Sequence, residues 1–247
     1  MMIPFRTPSA SITRRWLPTL MILTLGVAAP ASAGNEGKGP SAAEALARLK
    51  AGNERFAHDA AQGQPIDHER RMVLAKGQSP FAMVLSCADS RVPPEMVFNV
   101  GLGDLFVVRA AGEVADRSVV ASLEYSAEHL HTPLLVVMGH EFCGAVKAAS
   151  ESKGGSLGPN LDYLVQAIKP AVERTASTPE AERLTAAILA NVDEQIQDTL
   201  KSSAILREMV EHKTLEIVGA YYELESGRVT FSSPSKAEMK AGHAGHH

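Results

Sequence analysis

The chain has 247 residues, 45% of them apolar and 21% charged, a balance that excludes an intrinsically disordered protein. Residues 1–33 hold three arginines and no acid; without them 21 basic side chains face 28 acidic ones, a net −7 that argues against nucleic acid as a partner. Arg6, Arg14 and Arg15 precede an apolar run from Leu17 to Ala29, and Ala31-Ser32-Ala33 then offers small residues for cleavage. Thirteen residues interrupted by Pro18 fall short of the roughly 20 that span a bilayer. Residues 1–33 therefore read as a secretory signal peptide, which implies a periplasmic protein with no stable membrane anchor after cleavage. Arg14-Arg15 ahead of Trp16-Leu17 leaves a twin-arginine route open beside the general one.

Residues 34–40 read as a flexible leader, and order is expected from Ser41. Ser41-Ala42-Ala43-Glu44 has the form of a capping box, followed by an apolar stripe (Ala42, Ala45, Leu46, Leu49, Phe56) with helical spacing. That stripe suits either its own domain or a partner. Phe81–Ser86, Leu105–Val108 and Leu134–Met138 are short apolar runs of the kind that form buried strands, and a helical pattern over Ser118–His129 lies between the last two. Strand, helix, strand predicts a parallel sheet. His129 and His131 are assigned to the helix end, where imidazole suits the dipole, rather than to a metal. Leu161 to Ile168 predicts a helix running up to Pro170, and Thr178-Pro179 opens another with Leu184, Ile188, Val192, Ile196 and Leu200 as core. Leu215–Tyr222, a turn at 225–228 and Val229–Phe231 predict a closing hairpin, after which residues 233–247 form a polar, His-containing tail.

Chemistry concentrates at the two cysteines. In Cys87-Ala88-Asp89-Ser90-Arg91 a thiol, a carboxylate and a guanidinium alternate, so an extended segment sends all three to one face. In His140-Glu141-Phe142-Cys143 the ligand-type residues are three apart, as on one helical turn. A disulfide is the plain alternative for two cysteines in an exported chain, yet the acid, arginine and histidine beside them have no use in one. Two thiolates, an imidazole and a carboxylate fit zinc, one ion per chain. Both motifs follow strands, where the working ends of a parallel sheet lie. The weak fourth ligand, Asp89, has a rival partner in Arg91, and its release would admit water.

Cys-x-Asp-x-Arg followed about fifty residues later by His-x-x-Cys resembles the β-class carbonic anhydrases. Leu49–Phe56, Phe106–Arg109, Ser122–Tyr125 and Ile217–Tyr222 resemble family segments in the same order, so the likeness spans a domain from 41 to 232. It implies an α/β fold whose mostly parallel central sheet has an antiparallel edge strand and flanking helices. It also implies a homodimer or dimer of dimers whose N-terminal helices embrace the neighbour. The implied activity is reversible hydration of carbon dioxide to bicarbonate and a proton by zinc-bound hydroxide. Residue by residue, Cys87, His140 and Cys143 would hold zinc, with Asp89 either as fourth ligand or paired to Arg91. Gln78, Phe106, Tyr125 and the Gly144 backbone would meet substrate. Ala110, Glu113 and Glu141-Phe142 depart from the family pattern. Hydrolysis of another small linear molecule such as carbon disulfide, or zinc or disulfide binding without turnover, are the alternatives to test against.

Overall fold

The computed structural model describes residues 39–64, 66–152 and 155–232. Residues 1–33, read above as a signal peptide, nearly all of the expected leader (34–40) and the expected tail (233–247) lie outside them. Helices α1 (Ala42–Ala57) and α2 (His68–Leu74) lead into β1 (Ala82–Cys87), α3 (Pro94–Val97), β2 (Leu105–Ala110) and a 3₁₀ turn (Ala111–Glu113). Then come α4 (Arg117–His129), β3 (Leu134–His140), α5 (Gly144–Glu151), α6 (Pro159–Arg174), α7 (Glu180–Ser202), α8 (Ala204–Glu211), β4 (Glu216–Tyr222) and β5 (Val229–Ser232). The five strands form one sheet in the order β2-β1-β3-β4-β5, parallel except for β5, which pairs antiparallel with β4. The mostly parallel sheet with its antiparallel edge strand follows the expectation.

Alternation along the central strands explains the layers. Ala82 and Val84 of β1 and Leu134, Val136 and Met138 of β3 face one apolar cluster, with Leu49 of α1 and Ile168 of α6. Met83, Leu85, Leu135 and Val137 face the other, with Leu123 of α4 and Leu206 of α8. Both strands are buried along their whole length, so each of these large side chains contributes roughly 1.5–3 kcal/mol of burial. Strand β2 differs, being only partly buried, because it is the sheet edge. Its apolar run misled the reading of equal burial.

One further expectation is corrected, and one open alternative is decided. Helix α6 does not stop before Pro170 but runs through it to Arg174. Burial of Val165, Ile168 and Ala171 on one face and the bonds from Arg174 to Glu194 and the Ala190 carbonyl hold the last turn, against a proline cost of about 3 kcal/mol. The stripe of α1, left open between its own domain and a partner, packs on its own chain: Ala45 and Leu49 are fully buried and Ala42, Leu46 and Phe56 partly so. Asn53 donates to the carbonyls of Val97 and Gly227 and accepts from the Val229 N–H, which ties α1 to α3 and β5. Gly52 allows the approach, since a Cβ there would sit 1.8 Å from the Phe98 carbonyl oxygen. The capping box is present, Glu44 N–H donating to Ser41 Oγ and Ser41 N–H to the Glu44 carboxylate. Gly52→Ala is therefore expected to destabilise the protein by about 2 kcal/mol or more, because backbone must move to admit one methyl. Urea unfolding would check it, and an unchanged midpoint would mean that α1 does not rest against α3 in solution.

Candidate metal centre

Strand β1 pairs in parallel with β3 from Met83↔Leu135 to Ser86↔Met138, so their carboxyl ends finish side by side. Cys87 ends β1 and His140 ends β3. Chain reversal at Phe142, whose φ of 53° is left-handed, then places Cys143 at the cap position before α5. His140 and Cys143 thus meet through a strand end and a cap, not through a shared helical turn. Sγ of Cys87, a ring nitrogen of His140 and Sγ of Cys143 all lie within 4.8 Å of one another, and all three residues are buried. Both cysteines are free.

The donor set fits zinc. The Glu141 carbonyl can only accept, so the His140 Nδ1 at 2.9 Å carries the proton and Nε2 presents its lone pair. That Nε2 is buried with no protein partner, an orphan that a cation would satisfy. Between the thiols, a hydrogen bond from Cys143 holds the Cys87 thiol far below its ordinary range, while the same bond and burial push Cys143 up. One thiolate is therefore available at neutral pH, and displacing the second proton completes a two-thiolate, one-imidazole set.

Asp89 stands outside this group. After Cys87 the chain leaves the extended conformation, so the three alternating side chains do not share a strand face. Instead the Arg91 N–H and Nε both donate to Asp89 Oδ1, at 3.0 and 2.9 Å, and Arg91 Nη2 donates to Oδ2 at 2.7 Å. The two-pronged pair holds the Asp89 carboxyl well below the usual carboxylate range. Oδ2 remains 3.9 Å from His140 Nε2, close enough for the carboxylate to reach toward the ligands. Arg109 fixes the same loop from behind, donating to the backbone carbonyls of Cys87 at 3.0 Å and Asp89 at 2.5 Å. Gly144 follows Cys143 at the first turn of α5, and a Cβ there would meet nothing within 4 Å. Its backbone faces open space beside a ligand.

Three residues assigned to substrate are not brought to this end. Phe106 is in register with Met83, at the start of β1, whereas Cys87 is in register with Ala110. Four residues of strand put about 13 Å between the two levels. Tyr125 packs on Phe106 with ring centroids 6.2 Å apart, and Gln78 is exposed ahead of β1. Phe106, with Tyr125 on it, thus lies toward the amino ends of the strands, away from the cysteines. His129 closes the last turn of α4, and His131 follows the Leu130 cap.

Glu113 was noticed in the sequence only as a departure. It is fully buried behind the cluster, where it accepts from Asn191 Nδ2 at 2.9 Å through one oxygen and leaves the other without a partner. Burial, then the neighbouring Cys87 thiolate, push its carboxyl up to about 8.

The carbonic anhydrase family profile matches residues 82–229. Carbonic anhydrase 2 of Mycobacterium tuberculosis is 40% identical over 189 residues, covering 73% of this chain and 87% of that protein. A tetrameric β-carbonic anhydrase from the ascomycete Sordaria macrospora superposes with a TM-score of 0.61 at 27% identity, over 76% of this chain and 95% of that one. A Coccomyxa β-carbonic anhydrase solved with acetazolamide gives 0.61 at 26% identity, over 75% and 85%. The chain belongs to the carbonic anhydrase family, in its β class, and is an enzyme of that kind.

A folded-state pKa raised from 4.5 to about 8 means that Glu113's contribution to stability is complete below pH 4.5 and is lost as pH rises through 8. Cys87, whose thiol is held low, works in the opposite direction over the same range, so the readable quantity is the difference between variant and parent: in the metal-free protein Glu113→Gln is expected to gain stability over the parent, by on the order of a few kcal/mol, as pH rises from 5.5 to 8.5. Parallel urea curves at three pH values would check it, and identical slopes in parent and variant would place the ionising group elsewhere.

Proposed function

We propose that this enzyme hydrates carbon dioxide reversibly at a zinc ion held by Cys87, His140 and Cys143, within a pocket completed by a second copy of the chain. The observation that carries the metal assignment is the buried, unpartnered His140 Nε2 facing two free thiols. Zinc in such a site supplies a water whose pKa is lowered to about 7. The chain's own residues do the rest. Arg91 keeps Asp89 ionised and turned from the ligands, so the carboxylate accepts a hydrogen bond from the reacting water and orients it. The backbone N–H of Gly144 donates to a substrate oxygen as negative charge develops there. Dry walls around the ligands keep these dipoles effective, since charge interactions strengthen as solvent is excluded.

A second copy is supported by the separation of Gln78, Phe106 and Tyr125 from the ligands of their own chain, and by their partial or full exposure. The tetrameric relative supports assembly as well. In a dimer joined along the β2 edges, Gln78 of one chain would bond bicarbonate at the other's metal, with the Phe106–Tyr125 pair as an apolar wall for carbon dioxide. Arg91→Ala should keep zinc near one per chain and lose turnover, and Gln78→Ala should lose turnover too. Co-expressed, the two variants should recover about a quarter of parental activity, because half the dimers are mixed and each mixed dimer has one intact site. A stopped-flow hydration assay would read this. No recovery would sink the shared pocket, and loss of zinc from Arg91→Ala would give that arginine a structural role instead.

We also propose export to the periplasm, supported by the basic, apolar and small-residue pattern of residues 1–33. Among the described residues no helix is long and apolar enough to cross a membrane. N-terminal sequencing of protein from the periplasmic fraction should begin at Gly34, after Ala33. A full-length chain in the cytosol would refute export.

A further inference from the structure

We propose that Asn191, on a helix that supplies no ligand, is a positioning residue for the metal centre: through the 3₁₀ turn at 111–113 it fixes the backbone N–H that donates to Cys87 sulfur. The turn is an improbable one to stand alone. Gly112 and Glu113 are left-handed in succession, with φ of 64° and 44°. Gly112 has no room for a side chain, since a Cβ would lie 2.7 Å from Ile168 Cδ1 and 3.1 Å from Ala145 Cβ. Glu113 holds an unfavourable conformation for a residue with a side chain. Such a turn needs an external hold.

Helix α7 provides it through two amides whose orientation is not free. The Ala115 N–H can only donate, so Gln195 turns its oxygen to it, at 2.8 Å. Gln195 Nε2 is then left to donate to Asn191 Oδ1, at 3.1 Å. That leaves Asn191 Nδ2 with two hydrogens for two acceptors, the Gly112 carbonyl at 2.8 Å and the Glu113 carboxyl at 2.9 Å. Every donor and acceptor of the chain is specified from its far end. Asn191, Glu113 and Gln195 are essentially inaccessible to solvent, so water cannot replace a lost bond.

The output is at the ligand. With its carbonyl pinned by Asn191, Gly112 directs its N–H to Cys87 Sγ at 3.3 Å. A hydrogen bond to a ligating sulfur withdraws charge from it and fixes the lone pair offered to the metal, and loss of such outer contacts typically weakens metal binding 10–100-fold. The inference rests on the reading of Cys87, His140 and Cys143 as ligands.

The test uses the zinc-loaded enzyme and its cobalt-substituted form. Asn191→Leu keeps the volume and removes both donors. Zinc release to a chelator is expected to quicken roughly tenfold or more, and the cysteine-to-cobalt charge-transfer band should move. Gln195→Met leaves Asn191 in place but frees its amide to rotate, and should shift both readouts in the same direction by less. It decides the matter if Asn191→Leu fails to fold. Ile196→Ala on the same helix, buried in the other apolar cluster, should lower the unfolding temperature without moving either readout. If that control moves them equally, the effect is general loosening and the proposal falls. Parental release and spectrum in both amide variants would overturn it while leaving the ligands standing. Failure of the parent to bind one equivalent of metal would overturn the ligand reading, and this one with it.

Discussion

The parallel pairing of β1 with β3 is the constraint on which the centre depends. Both strands are buried on both faces, so their register is held by every side chain along them and not by a turn. A slip of one residue would send each side chain to the opposite face and turn Cys87 away from His140. Because β1 lies inside the sheet with β2 on its other flank, the same strand end also receives the Gly112 turn that follows β2. The two ladders flanking β1 thus bring His140 to Cys87 from one side and the Gly112 turn, which donates to its sulfur, from the other.

Around that junction polarity is graded. Cys87, His140, Cys143 and Glu113 lie in a dry floor, where an unpaired charge is costly and a soft cation with thiolate partners is favoured. The Asp89–Arg91 pair lies above it, with the arginine side chain half exposed. A fully dry pair at that place would be locked by its desolvation, whereas a half-solvated one can exchange partners at modest cost. Arg109 restrains the loop backbone while leaving the Asp89 carboxylate to Arg91, so the carboxylate can turn without the strand end coming loose.

Much of this was legible in the sequence because it is written locally. Apolar runs without polar interruption marked β1 and β3, and turn residues at 225–228 marked the β4–β5 hairpin. The Cys87, His140 and Cys143 group was legible because two thiols and an imidazole at these spacings have few other uses, whereas Asp89, open in the sequence between a fourth ligand position and Arg91, is paired to Arg91. What was not legible depended on neighbours far along the chain. Pro170 reads as a stop until α7 is known to hold the turn beyond it. The edge position of β2 depends on strand order, which an apolar run does not reveal. Asn191 reads as a polar gap in an amphipathic helix, since its partners are 78 and 79 positions away.

Two of the positions read as departures from the family pattern share a feature at this level. Glu113 and Phe142 are both non-glycine residues in left-handed conformations, each beside a ligand. One is buried and depends on Asn191. The other is exposed, with its carbonyl 3.5 Å from Arg91 Nη2, at the outer limit of a hydrogen bond. Small residues would take these conformations at less cost, so a chain that carries large ones must hold its turns through bonds made elsewhere. The strain falls on the turn that donates to the Cys87 sulfur and on the reversal that leads into Cys143, while the central strands are buried along their whole length. A deeply buried sheet can tolerate that arrangement because its register does not depend on the loops that leave it.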